Sequence, residues 1–168
     1  MPQAVRTYLE MTDRSELTGE ASAPPGVSLA REAACPPALW RRLYTDVGRE
    51  YHWVDRLGWT DEEIRRYLDD PALELWILRE GTEIAGYFEL RRDGDGGVEI
   101  AYFGLLPAFT GRGFGRYLLT AAAARAWALR PSRVWVHTSS LDHTAALPNY
   151  LARGFSIVRQ EIYTILHP

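Results

Sequence analysis

The chain has 168 residues and a mass of 19.1 kDa, enough for one domain and too short for two catalytic units. Apolar residues make up 46% and charged residues 24%, a folded globular balance that excludes a disordered chain. With 19 basic against 22 acidic side chains, the net charge of −3 and pI near 5.8 argue against nucleic acid as a partner.

No apolar run nears the ~20 residues of a membrane helix, and the charged N-terminus lacks the apolar core of a signal peptide, so no membrane partner is expected. Cys35 is the only cysteine, which leaves no internal disulfide and points to a reducing, cytoplasmic setting. The sequence contains no lysine, which removes Schiff-base chemistry and lysine-dependent phosphate loops.

The spacing predicts a short strand over residues 5–11 and a loop over 20–25, where small residues and two prolines break any period. Pro36 and Pro37 open a helix whose apolar face is Leu39, Trp40, Leu43, Tyr44 and Val47. A second helix starts at Thr60, with Glu63 completing a capping box, and stops before Pro71. The period then falls to two. Leu73, Leu75 and Ile77 share one face of a strand, Gly81 turns the chain, and residues 83–90 make a second strand. The DGDGG stretch at 93–97 is a hairpin connection into a third strand over 98–105, giving an antiparallel meander.

Phe114, Leu118, Ala121, Ala122 and Leu129 space as one face of a long helix that ends before Pro131. Residues 134–137 read as a buried strand, 142–153 as a short helix closed by Gly154, and 155–166 as a last strand. This order gives an α+β or mixed α/β domain around one central sheet.

The segment GLLPAFTGRGFGRYLL (104–119) joins a strand to that helix through a loop with glycines at 111, 113 and 115. Unpaired N–H groups at a helix N-terminus bind anions, and glycine lets a phosphate approach the main chain closely. A lysine-dependent P-loop is excluded. The dinucleotide fingerprint would need glycine at Arg116 and a parallel βαβ unit before it.

What remains resembles the pyrophosphate loop of the GNAT superfamily of acyl-CoA-dependent N-acyltransferases. The family signature [RQ]xxGx[GA] falls on Thr110, Gly111, Arg112, Gly113, Phe114 and Gly115, with Thr110 where the family has Arg or Gln. A second landmark, AxxxYxxxGF, appears as ALPNYLARGF over 146–155. The resemblance covers residues 73–165, leaving 1–72 as a divergent, acceptor-side part of a single N-acetyltransferase domain. It implies a mostly antiparallel mixed sheet flanked by helices, acetyl-CoA as co-substrate, no metal, and direct transfer to an amine.

The resemblance also implies residue roles. Leu105, Leu106, Gly111, Arg112, Gly113, Phe114, Gly115, Arg116 and His143 are candidate cofactor-binding residues, with the Leu105 N–H toward the thioester oxygen. Gly104 would start a bulge that splays two strands apart. Tyr150 matches the general acid that protonates the departing thiolate, and Glu99 is a candidate base acting through water. Ser139, Asp142 and His143 are too close in sequence to converge as a triad, and His137 and His143 lack metal-ligand spacing.

Tyr51, Trp53 and Trp59, with Glu50 and Asp55, suggest an aromatic-walled site for a cationic amine. A primary amine on a small molecule is the expected acceptor, a protein N-terminus or lysine the alternative, and the protein is expected as a monomer or homodimer. The rivals are a non-catalytic acyl-CoA-binding module and a nucleotide-binding domain of another fold.

Overall fold

Proline pairs and capping residues set the helix starts in the computed structural model, which describes residues 1–19 and 22–165. Helix α1 (Pro37–Gly48) begins behind Pro36 with Pro37 in its first turn, where a missing N–H costs nothing. Helix α2 (Asp61–Leu68) opens on the expected capping box. The Thr60 hydroxyl accepts from the Glu63 N–H at 3.2 Å, and the Glu63 carboxylate accepts from the Thr60 N–H at 3.2 Å. Helices α3 (Phe114–Ala128) and α4 (Ala146–Ala152) follow.

The strands are β1 (Gln3–Met11), β2 (Val27–Arg31), β3 (Leu73–Glu80), β4 (Glu83–Arg92), β5 (Gly97–Leu105), β6 (Arg133–Ser139) and β7 (Ser156–Thr164). They form one seven-stranded sheet in the order β2-β3-β4-β5-β6-β1-β7. Leu43 and Val47 of α1 pack on Leu75, Ile77 and Tyr87, while α2 sends Ile64 against Trp40 and Tyr44 of α1. Leu118, Leu119 and Ala122 of α3 share a second cluster with Phe88, Leu90, Val98 and Val136. Helices thus cover both faces of one sheet, the mixed single-domain architecture expected.

The meander β3-β4-β5 is antiparallel and its turns follow from local chemistry. Gly81 takes φ 59° between β3 and β4. Between β4 and β5 the Asp93 carboxylate accepts from the N–H groups of Asp95 and Gly97 at 2.9 and 2.8 Å. Strands β5 and β6, joined by the α3 crossover, are parallel, and they pair only over Gly97–Arg133, Val98–Val134 and Glu99–Trp135 before parting.

Four features differ from the sequence reading. Strand β2, a half-exposed edge beside β3, was hidden by its length and weak alternation. The bulge is at Ala101, because Glu89 and Leu90 face Tyr102 and Ile100 across the ladder. Gly104 instead makes room for Val47, whose side chain a Cβ there would meet. Helix α4 begins at Ala146 rather than 142. Asp142 accepts from the Thr138 hydroxyl at 2.7 Å and the Ser139 N–H at 2.8 Å, and His143 Nδ1 accepts from the Ala145 N–H at 3.0 Å, bonds that hold these residues in turns. Of the expected loop 20–25 and last strand 155–166, Glu20, Ala21 and Leu166 lie outside the described residues.

Gly154, after α4, takes φ 108°, and a Cβ there would overlap the Glu16 carbonyl. Gly154→Ala combines left-handed strain with a main-chain clash, so chemical denaturation should show a loss of about 2–4 kcal/mol. An unchanged midpoint would mean that the Glu16 turn yields freely.

Candidate active site

The parting of β5 from β6 opens a cleft across the sheet. The Leu106 N–H donates to the Ala85 carbonyl at 2.8 Å, on the β4 side. Main-chain polarity alternates along a strand, so the Leu105 N–H faces the opposite side, into the cleft. A cavity of about 460 Å³ occupies it, lined by Phe103, Leu105, the 110–116 loop and α4.

The loop is built for an anion. Gly111 and Gly113 take φ 76° and 81°, and a Cβ at either would meet no atom within 4 Å. Gly113 is the N-cap of α3 and supplies no side-chain cap, which leaves the first N–H groups of a 15-residue helix without a side-chain acceptor. Thr110, Gly111, Gly113, Gly115 and Arg116 all line the cavity, and Arg153 adds a guanidinium whose Nε is sealed from solvent with no hydrogen-bond partner among the described residues. These features suit a phosphate-bearing cofactor such as acyl-CoA.

Not every residue expected here is on the lining. The Arg112 guanidinium is held by both Glu80 oxygens at 3.1 and 2.6 Å. The Phe114 ring is buried in the core, and the Leu106 N–H is consumed by Ala85. Any contribution of Arg112 and Phe114 to a cofactor would come from their main chain. The Thr110 hydroxyl donates to the Pro107 carbonyl at 2.8 Å, so it is tied to its own turn. Asn149, unnoticed in the sequence, lines the cavity and donates to the Gly115 carbonyl at 3.1 Å, bracing the loop from α4.

A smaller cavity of about 110 Å³ adjoins the first, and Tyr51, Trp53, Phe103, Asp142 and Tyr150 line both. His52, Asp55, Tyr102, His137, Ser139 and Tyr163 line only the smaller one. Tyr150 therefore stands at the junction. Burial, with a smaller contribution from Asp142, pushes its phenol well above the usual value, so it stays protonated.

Glu99 sits at the last paired position of β5 and β6, next in sequence to Ile100 of the smaller cavity. Burial raises its carboxyl above the ordinary range, and Asp93 and Glu89 add to this against the opposing Arg91 and Arg56. Glu99 Oε1 lies 3.9 Å from His137 Nε2. Burial and Arg6 depress the His137 imidazole, which favours its neutral form although 39% of the side chain is exposed. His143 lies on the large cavity, with its ring edge-on to Tyr51 at 6.2 Å.

Cys35 lies apart from both cavities, and burial pushes its thiol up to about 12. No group of three or more His, Cys, Asp or Glu among the described residues forms a metal cluster. Among the described residues no helix is long and apolar enough to cross a membrane.

With this geometry in place, comparison with known proteins is decisive for the family. Residues 40–155 match the acetyltransferase (GNAT) family model. The chain belongs to that family. A Mycobacterium tuberculosis protein named as an uncharacterized N-acetyltransferase is 30% identical over 147 residues, covering 88% of this chain and 85% of that one. A GCN5-related N-acetyltransferase structure from Sphaerobacter thermophilus matches with a TM-score of 0.68 at 16% identity, over 95% of this chain and 50% of that one.

The chain thus spans half the length of that Sphaerobacter protein. A Vibrio cholerae spermidine N-acetyltransferase, solved with CoA and spermine, matches with a TM-score of 0.64 at 16% identity, over 79% and 82% of the two chains. Family membership and the names of these GNAT relatives support an acyltransferase.

Gly113→Val should leave the fold largely intact, because a Cβ there meets no protein atom within 4 Å, at a strain cost of about 1–3 kcal/mol for a β-branched residue at positive φ. The same side chain projects toward the anion site. Calorimetry should show CoA binding lost, and a variant binding CoA as tightly as the wild type would place the cofactor elsewhere.

Proposed function

We propose that this GNAT protein transfers the acetyl group of acetyl-CoA directly to a primary amine on a small molecule, without metal or covalent enzyme intermediate. The observation that carries this reading is the meeting of two cavities at Tyr150, one phosphate-competent and one small, with Asp55 and Asp142 on its lining and Arg6, paired with Glu161, beside them. The N–H groups of the 111–116 loop and α3, with Arg116, would hold the pyrophosphate. The Leu105 N–H would steady the carbonyl oxygen as negative charge grows on it.

Acetyl-CoA supplies the activated acyl group and the leaving thiolate. The residues manage the protons. As the new C–N bond forms and the C–S bond breaks, Glu99 takes a proton from the amine through water and Tyr150 gives one to the sulfur. The neutral His137 beside Glu99 is suited to order that water.

The smaller cavity supports a compact cationic acceptor. Asp55 is exposed on its lining and takes part in no ion pair among the described residues, and Tyr51 and Trp53 supply aromatic faces, while Tyr102 and Tyr163 lie against Arg56 and Arg6. The spermine held by the Vibrio cholerae relative is an amine of the same kind, which supports this choice over a polypeptide acceptor. The single cysteine fits the reducing cytoplasm as the proposed setting.

Thiol release from acetyl-CoA across a panel of small amines tests the assignment. CoA binding without release for any amine would make the domain a non-catalytic binding module. Tyr150→Phe keeps the packing ring and removes the donor, so kcat should fall about 10²–10⁴-fold with the acetyl-CoA KM nearly unchanged. Near-normal turnover would remove Tyr150 from the mechanism.

Glu99 acts as a base only above its raised pKa, and the amine needs that base only below its own. Wild type and Glu99→Gln should therefore converge at both pH extremes and differ most between these two values. Parallel pH–rate profiles would leave Glu99 without a catalytic role.

A further inference from the structure

Segment 49–59, between α1 and α2, carries four of the residues that line the two cavities, yet it has little structure of its own. It holds short turns at Arg49–Tyr51 and over residues 55–58, and a left-handed residue, His52, at φ 59°. Its main-chain bonds are local: Trp53 N–H to Gly48, Leu57 N–H to Val54 and Trp59 N–H to Arg56, each at 3.2 Å. None of these ties Tyr51, His52, Trp53 or Asp55 to the sheet whose strands form the opposite wall.

Arg56 makes the polar tie, beside the packing of Trp53, whose ring stands edge-on to Tyr102 on β5 at 4.9 Å and to Tyr87 on β4 at 6.4 Å. Its N–H donates to the Tyr44 hydroxyl on α1 at 3.2 Å. Its guanidinium donates to Glu89 Oε1 on β4 at 3.2 Å and to the Tyr67 hydroxyl on α2 at 3.1 Å. Glu89 is fully buried, and Trp40 Nε1, at 3.0 Å, and the Tyr67 hydroxyl also donate to it. The guanidinium lies 4.2 Å from the ring centre of Tyr102, 4.4 Å from that of Tyr67 and 4.8 Å from that of Trp59. The rings of Tyr102, Tyr67 and Trp59 thus cage the protein's own cation; of the aromatics expected for a substrate amine, Trp59 is drawn into this cage, while Tyr51 and Trp53 line the cavities. Tyr102, one face of that cage, also lines the smaller cavity.

We propose that Arg56 is a positioning residue for the acceptor. It clamps segment 49–59 to β4 and Tyr102 and so sets the distance between Asp55 and the β5 wall of the smaller cavity. This rests on the reading of that cavity as the amine site. A buried ion pair is a poor source of stability, since apolar replacements of both partners are often neutral or stabilising. Its directional bonds, however, fix one loop geometry where an apolar cluster would admit several.

Arg56→Met alone would strand the buried Glu89 charge, so the test uses Arg56→Met/Glu89→Gln, whose amide oxygen keeps an acceptor for Trp40 Nε1 and whose NH2 can donate to the Tyr67 hydroxyl that Arg56 has vacated. Arg56→Lys serves as the milder variant, keeping the charge but losing the two-pronged contact. Amide hydrogen exchange of 49–59 should accelerate about tenfold or more in the double variant and less in Arg56→Lys, with 97–105 unchanged. The KM for the best amine should rise about tenfold while the acetyl-CoA KM stays within about threefold.

Unchanged exchange in 49–59, or faster exchange with an unchanged amine KM, would overturn the proposal. A proportional rise in both KM values would also overturn it, since it would mark a general loosening. A wild type that releases no thiol with any amine would fail the acceptor reading instead, and the exchange measurement would still decide whether Arg56 holds the loop.

Discussion

Strands β5 and β6 share a parallel ladder for three residues and then diverge, and most of what this domain can do follows from that divergence. The α3 crossover makes the pair parallel in a sheet whose other pairings are antiparallel. Beyond Glu99 the inner edge of β5 has no strand to bond to. Its N–H and C=O groups are left for a ligand, and the Leu105 N–H is among them. The bulge at Ala101 turns the strand at the point where pairing stops. The same crossover brings the N-terminus of α3 to the mouth of the gap, so the proposed anion and acyl sites would come from one topological event.

Burial acts on the two proposed proton carriers in one chemical direction. Desolvation disfavours the charged form of each and raises both the Tyr150 phenol and the Glu99 carboxyl. For Tyr150 this preserves the proton it is to donate. For Glu99 it strengthens the base while narrowing the pH range over which the base is ionised. A site meant for an amine profits from the added basicity, because a more basic carboxylate takes a proton from an ammonium more readily.

The elements legible in the sequence were those whose causes are local. The capping box at Thr60 and Glu63, the proline start of α1, the turns at Gly81 and Asp93, and the glycine loop before α3 each depend on residues a few positions apart. What escaped depends on partners far along the chain. β2 is a strand because β3 offers it an edge, and residues 142–145 leave α4 because Asp142 bonds back to the end of β6. Arg112 reads as a phosphate ligand in a glycine loop, but Glu80, 32 residues earlier, holds it. Arg56 shows the same limit more sharply, since its partner Glu89 lies 33 residues on and nothing near either residue marks the pair.

The cage around Arg56 also accounts for an apparent excess of aromatic residues. Trp40, Trp59 and Tyr67 form an aromatic cluster between α1 and α2, and one cation at its centre converts it from a generic core into a fixed point. A guanidinium suits that place because it can lie close to the rings of Tyr102 and Tyr67 while its separate N–H groups reach Glu89 and the Tyr67 hydroxyl. The cofactor side is braced by different means, the Asn149 bond to Gly115 and the glycine backbone itself. In the proposed reading the two substrates would meet between walls held by different bonds, Asn149 bracing the glycine loop and Arg56 the 49–59 segment, with Tyr51 and Trp53 of that segment facing both cavities.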